Sequence, residues 1–121
     1  MSAPARSVSV FAVYLVLLAI LLLITPNFVL ENFGLRRTSE VWIRVVGMLV
    51  AFSGVYYWTA AATELVPFFR ATVLTRLTVP VFFLIFVAAG WVRWPLLLFG
   101  IVDLVGSLWT WRALRSVDAA A

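Results

Sequence analysis

The chain predicts an all-α fold: a compact bundle of four transmembrane helices. Three observations lead there. Hydrophobic residues make up 65% of the 121 residues and charged ones 12%, against about 45–50% and about 25% in a soluble domain. The mean hydropathy is +1.14. The few charges are also spaced so that four long apolar runs lie between them. A water-soluble chain of this size leaves too much surface exposed to hide so many apolar side chains. Lipid is therefore the expected solvent, around a single four-span domain over residues 1–121 with spans at about 8–25, 41–62, 71–92 and 95–112.

The first span rests on Val8–Ile24, apolar apart from Ser9, with no charge between Arg6 and Glu31. That length suits a spanning helix. A cleaved signal peptide fits less well, because only Arg6 precedes the run and Thr25-Pro26-Asn27-Phe28 follows where a small-residue cleavage site is needed. Pro26 and Asn27 end the span, and a loop is expected from Asn27 to Glu40. Thr38, Ser39 and Glu40 offer cap and first-turn chemistry for the second helix. That helix runs from Val41 to Ala62 and is charged only at Arg44. Glu64 and Pro67 mark a short turn. The third span lies within Ala71–Val92, with an expected kink at Pro80. Arg93 and Trp94 connect it to a fourth helix that Pro95 opens and that reaches about Trp111. Tryptophans support this layout: Trp42, Trp91 and Trp94 fall at one membrane face, and Trp58, Trp109 and Trp111 at the other, as interfacial aromatics should.

The composition also excludes chemistry. With no cysteine and no histidine, the chain has no thiolate, no imidazole ligand and no neutral-pH proton carrier. No metal and no cofactor are expected, haem included. The acids are Glu31, Glu40, Glu64, Asp103 and Asp118, and all nine basic residues are arginine. A net charge of +4 suits anionic headgroups, for which Arg36, Arg37, Arg93, Arg112 and Arg115 are candidates. Dispersed arginines form no nucleic-acid patch. For orientation, Arg6, Arg70, Arg76, Arg112 and Arg115 on one side stand against Arg36, Arg37, Arg44 and Arg93 on the other. That tips the positive-inside rule slightly toward cytoplasmic termini.

Asp103 is the polar residue of greatest interest. A carboxylate at that depth costs about 2.5 kcal/mol or more on insertion scales. Gly100, Asp103, Gly106, Ser107 and Thr110 recur at spacings of three and four and share a face, which lets another helix approach closely. Arg44, Gly47, Ala51 and Gly54 make a similar stripe on the second helix, with Glu40 one turn before Arg44. Arg44 and Arg76 can each neutralise Asp103, and the matching small-residue face favours Arg44. Glu64 and Arg70 are expected either to pair at the interface or to line a cavity mouth with Tyr57. These six (Asp103, Arg44, Glu64, Arg70, Arg76 and Tyr57) are the candidate ligand or ion-pair residues.

The segment Tyr56-Tyr57-Trp58-Thr59-Ala60-Ala61-Ala62-Thr63-Glu64-Leu65, then Pro67-Phe68-Phe69-Arg70 and the last helix FGIVDLVGSLWTWRALR resemble small bacterial DoxX-like membrane proteins. The resemblance implies a four-helix bundle of the bacterial inner membrane. Its role would be accessory, beside larger complexes such as quinone-linked oxidoreductases, with no cofactor bound by this chain and no catalytic residue to carry over. The expected function is thus an accessory or structural subunit, its small-residue faces suited to partner subunits or a second copy. The alternative is a small dimeric transporter or hydrophobic-ligand-binding bundle using Asp103. An enzyme is least favoured, since no nucleophile–base pair or carboxylate cluster is evident.

Overall fold

The computed structural model describes residues 1–120. Helix α1 spans Ala3–Ile24. It starts five residues before the apolar run because Ser2 caps it: the Ser2 hydroxyl accepts from the Ala5 amide at 3.2 Å, and Pro4 sits in the first turn. A short helix α2, Pro26–Asn32, occupies much of the expected loop, with Pro26 as its opening residue. Helix α3 covers Trp42–Ala62 and α4 covers Val66–Ala88. Pro80 lies inside α4, which runs on past it. A 3₁₀ turn, Trp94–Leu96, leads into α5, Leu97–Ala120. The four long helices are each apolar and long enough to cross a membrane.

The expected cap of α3 is not used. Its N-cap is Val41, with no side-chain bond. Thr38 instead folds the preceding loop, exchanging bonds with Asn27 at 2.8 and 3.1 Å and accepting from the Glu40 amide at 3.0 Å.

Helices α2, α3 and α4 end in one way. In each, a residue of positive φ follows the helix: Gly34 at 73°, Glu64 at 53° and Gly90 at 77°. The next amide then reaches back five residues, Leu35 to Leu30, Leu65 to Ala60 and Trp91 to Phe86, at 2.7, 2.9 and 3.0 Å. This is the Schellman closure, which normally takes glycine because a Cβ is strained there. Glu64 is the exception, and its side chain supplies the reason. Its carboxylate accepts from the Ser2 amide at 2.7 Å and the Ser2 hydroxyl at 2.6 Å, tying the α3–α4 turn to the start of α1. The expected Glu64–Arg70 pair does not form. Arg70 bonds Asp118 near the end of α5 at 2.9 and 3.1 Å. Glu40 and Arg44 form no ion pair among the described residues either.

The Ser2 hydroxyl, then the Ser2 amide, hold the exposed Glu64 carboxyl below its ordinary pKa of 4.5, slight desolvation opposing them. A folded-state value below the unfolded one means that folding favours the ionised form. The contribution is therefore whole above 4.5 and fades as pH falls through the lowered value. We expect the protection of first-turn amides of α1, their exchange relative to an unstructured chain at the same pH, to fall below that pH in the wild type. In Glu64→Gln it should be lower at neutral pH and insensitive to acid. A flat wild-type profile would remove the role assigned to this contact.

Helix α1 is the hub. It packs along α3 on one side and α5 on the other, and α4 pairs with α5. In lipid the close fit of helices replaces the hydrophobic effect as the packing force, and the glycines show where it is closest. A Cβ on Gly47 would lie 3.0 Å from Leu22, and one on Gly54 would lie 2.8 Å from Val16. The small stripe of α3 is therefore spent on α1, not on the Asp103 face. On α5, Gly100 rests on Pro80 of α4, and Gly106 on Phe11 of α1. At the Glu64 end, Ala5, Val8, Ala60, Ala61, Phe69, Val73 and Leu114 from all four long helices close a core. At the other end Leu22, Val29, Leu30 and Ile43 form a second, with Phe33 stacked on Phe99 at 3.8 Å. All six tryptophans are exposed, as headgroup-level anchors should be.

Candidate functional site at the centre of the bundle

Arg76 is 2% exposed. Its backbone lies ten residues from Val66 and twelve from Ala88, about 15 and 18 Å along the helix. Its side chain turns back toward Thr72, so the guanidinium sits inside the apolar span on the Glu64 side of its middle. Its Nε donates to the Thr72 carbonyl at 3.2 Å. Its Nη2 donates to the Thr72 and Thr110 hydroxyls at 3.0 and 2.9 Å. Thr110 in turn shares a bond of 2.8 Å with Ser7, so α1, α4 and α5 meet in one polar chain. The guanidinium carbon lies 4.7 Å from the centre of the Phe11 ring and 5.7 Å from that of Tyr57, where the ring faces attract a cation.

The remaining nitrogen, Nη1, is buried and has no hydrogen-bond partner. It points toward Gly106, where a Cβ would lie 3.2 Å from it. Asp103, partly buried one turn before Gly106, is within electrostatic reach of Arg76, Tyr14 and Tyr57. No direct ion pair or hydrogen bond joins it to Arg76 among the described residues. Cation and carboxylate attract each other across a gap, and Nη1 keeps its hydrogen-bonding capacity. An apolar cavity of about 220 Å³ lies between α1, α2 and α5, lined by Tyr14, Leu18, Phe28, Phe33 and Phe99 among others but by neither Arg76 nor Asp103. Phe99 shares the Asp103 face of α5, one turn away.

The six candidates thus separate. Asp103, Arg76 and Tyr57 come together. Arg44 does not join them: it is exposed, and its Nε donates to the Leu23 carbonyl at 3.0 Å, where a cation complements the C-terminal end of α1. Glu64 and Arg70 serve the membrane-edge ties already described. Arg76 also leaves the orientation count, since it is buried inside the bundle, and four arginines then stand on each side.

Ser7, Phe11, Tyr14 and Thr72 complete the centre without having been singled out. Thr72–Arg76 and Gly106–Thr110 are each four apart, the spacing at which helical residues share a face. Reading the third helix from Val66 would have exposed that signal. Fold and site together define a four-span membrane bundle with a buried guanidinium–carboxylate centre. Comparison with protein-family models, curated proteins and solved structures gives no match.

Proposed function

We propose that this chain is a multi-pass protein of the bacterial inner membrane, DoxX-like in kind, that binds a small lipid-soluble molecule at the Arg76–Asp103 centre. One observation carries the reading: a guanidinium nitrogen buried within the bundle, inside the apolar span, with its hydrogen-bonding capacity unspent. Charged donors are costly in hydrocarbon, and where they occur they mark ligand or ion paths. The chemistry suits an acceptor oxygen on the ligand, received by Nη1, with Asp103 holding the local charge near zero. The apolar cavity between α1, α2 and α5, about 220 Å³, is smaller than the roughly 300–1,000 Å³ of a drug-sized pocket. The ligand is accordingly small, or leaves its tail in lipid.

The test is purification in mild detergent followed by mass spectrometry of the solvent extract, for the wild type, Arg76→Gln and Asp103→Asn. The expected result is a small molecule retained by the wild type and lost from a folded Arg76→Gln protein. A wild-type chain that comes away without one, yet with a second polypeptide, would replace this reading with that of an accessory subunit.

A further inference from the structure

Arg36 and Arg37 are adjacent in sequence but face different surroundings. Arg37 is matched by Glu31 at 2.7 Å. Arg36 instead lines a cavity of about 450 Å³, together with Arg93, Trp42 and Trp91. That cavity lies at the membrane end opposite Glu64, between the α2–α3 and α4–α5 connections. No acid lines it, and neither Arg36 nor Arg93 has an ion-pair partner among the described residues.

Backbone geometry builds the site. Gly34 seats the first loop directly on the second: a Cβ there would lie 3.1 Å from the Cβ of Arg93 and 3.4 Å from the Pro95 ring. Gly90, at a φ of 77°, turns the chain so that Trp91 and Arg93 follow it into the wall. Phe33 stacked on Phe99 fixes the same two regions from beneath. Two guanidiniums from different loops thus border one concavity, with tryptophans at its rim. Guanidinium forks match phosphate oxygens, and basic pockets between transmembrane helices are where anionic headgroups settle.

We propose that this cavity holds a phosphate group between Arg36 and Arg93, presented by an anionic phospholipid headgroup or arriving as free phosphate. The site is separate from the Arg76 centre and does not depend on its reading.

The full chain, in neutral detergent, is examined by native mass spectrometry with equal phosphatidylglycerol and phosphatidylcholine, and by thermal unfolding with inorganic phosphate. The expected result is preferential retention of phosphatidylglycerol. Arg36→Gln with Arg93→Gln should weaken it roughly fivefold per arginine, about 30-fold together. Arg6→Gln, which removes an exposed charge at the opposite end, should leave it unchanged. Stabilisation by inorganic phosphate without lipid preference, lost in the Gln pair, supports the phosphate site and assigns free phosphate as the source. Equal retention of both lipids with no phosphate effect overturns the proposal, as does a Gln pair that matches the wild type. Should the Gln pair fail to fold, Arg36→Gln and Arg93→Gln are measured singly; each should weaken the preference roughly fivefold, and folded single variants that match the wild type overturn the proposal.

Discussion

Replacing Arg76 by Gln and Asp103 by Asn, singly and together, is expected to reveal a coupling energy of at least about 1 kcal/mol, within the range for residues of one network. Removing one partner of a buried, contacting ion pair costs about 3–5 kcal/mol. Here the groups act across a gap, so each single change should fall toward the lower figure, about 3 kcal/mol. The two bonds from Nη2 to threonine hydroxyls, of which only that to Thr110 crosses between helices, account for a smaller part, since interhelical hydrogen bonds in membranes average about 0.6 kcal/mol. Together the changes remove both charges, so the double variant should be more stable than the sum of the singles implies. Arg44→Gln combined with Asp103→Asn should simply add, because Arg44 serves the end of α1. Unfolding in mixed micelles measures all of these. Additivity within about 0.5 kcal/mol for Arg76 and Asp103 would mean that the carboxylate does not feel the guanidinium.

Gly106→Leu is expected to be comparably damaging by a different route. Even a single Cβ at 106 would lie 2.9 Å from Cδ2 of Phe11 and 3.2 Å from Nη1 of Arg76. An alanine there asks only that the ring tilt. A leucine needs volume that Phe11 and the guanidinium occupy, and overpacking of this kind costs about 1–3 kcal/mol, occasionally more. It should also push Nη1 from its position and so abolish ligand retention. Phe11→Ala in the Gly106→Leu background should restore part of the stability by vacating the space. A Gly106→Leu protein as stable as the wild type would show that α1 and α5 are not this close.

Three expectations drawn from the sequence fail, each for its own physical reason. Pro67 was read as the mark of a turn, which delayed the third span to Ala71 and placed Arg76 near an interface. Proline is also the preferred opening residue of a helix, where its missing amide donor is no loss, and α4 in fact begins at Val66. Those five residues, about 7.5 Å of helix, put the Arg76 backbone near the middle of α4 and its side chain inside the bundle. Arg44 was favoured as the partner of Asp103 because two small-residue stripes looked complementary. Gly47 and Gly54 are instead filled by Leu22, Leu23 and Val16 of α1. A stripe tells that some helix approaches, not which one. Glu64 and Arg70 failed to pair although six residues apart, because the left-handed turn at Glu64 sends its carboxylate to Ser2 while Arg70 reaches Asp118 across α5.

Helix number, helix type and approximate ends were legible in the linear chain. Run length against bilayer thickness, proline and glycine punctuation, and two tryptophan belts are all local or one-dimensional signals, and lipid imposes them span by span. The faces were not legible. In water an apolar stripe marks the side of a helix that turns inward, but in a bilayer the outer side is equally apolar, as the exposed Leu17, Phe52, Leu84 and Val105 show. Only the three-dimensional packing could therefore decide that α1 stands between α3 and α5, and that Arg76, not Arg44, shares the interior with Asp103.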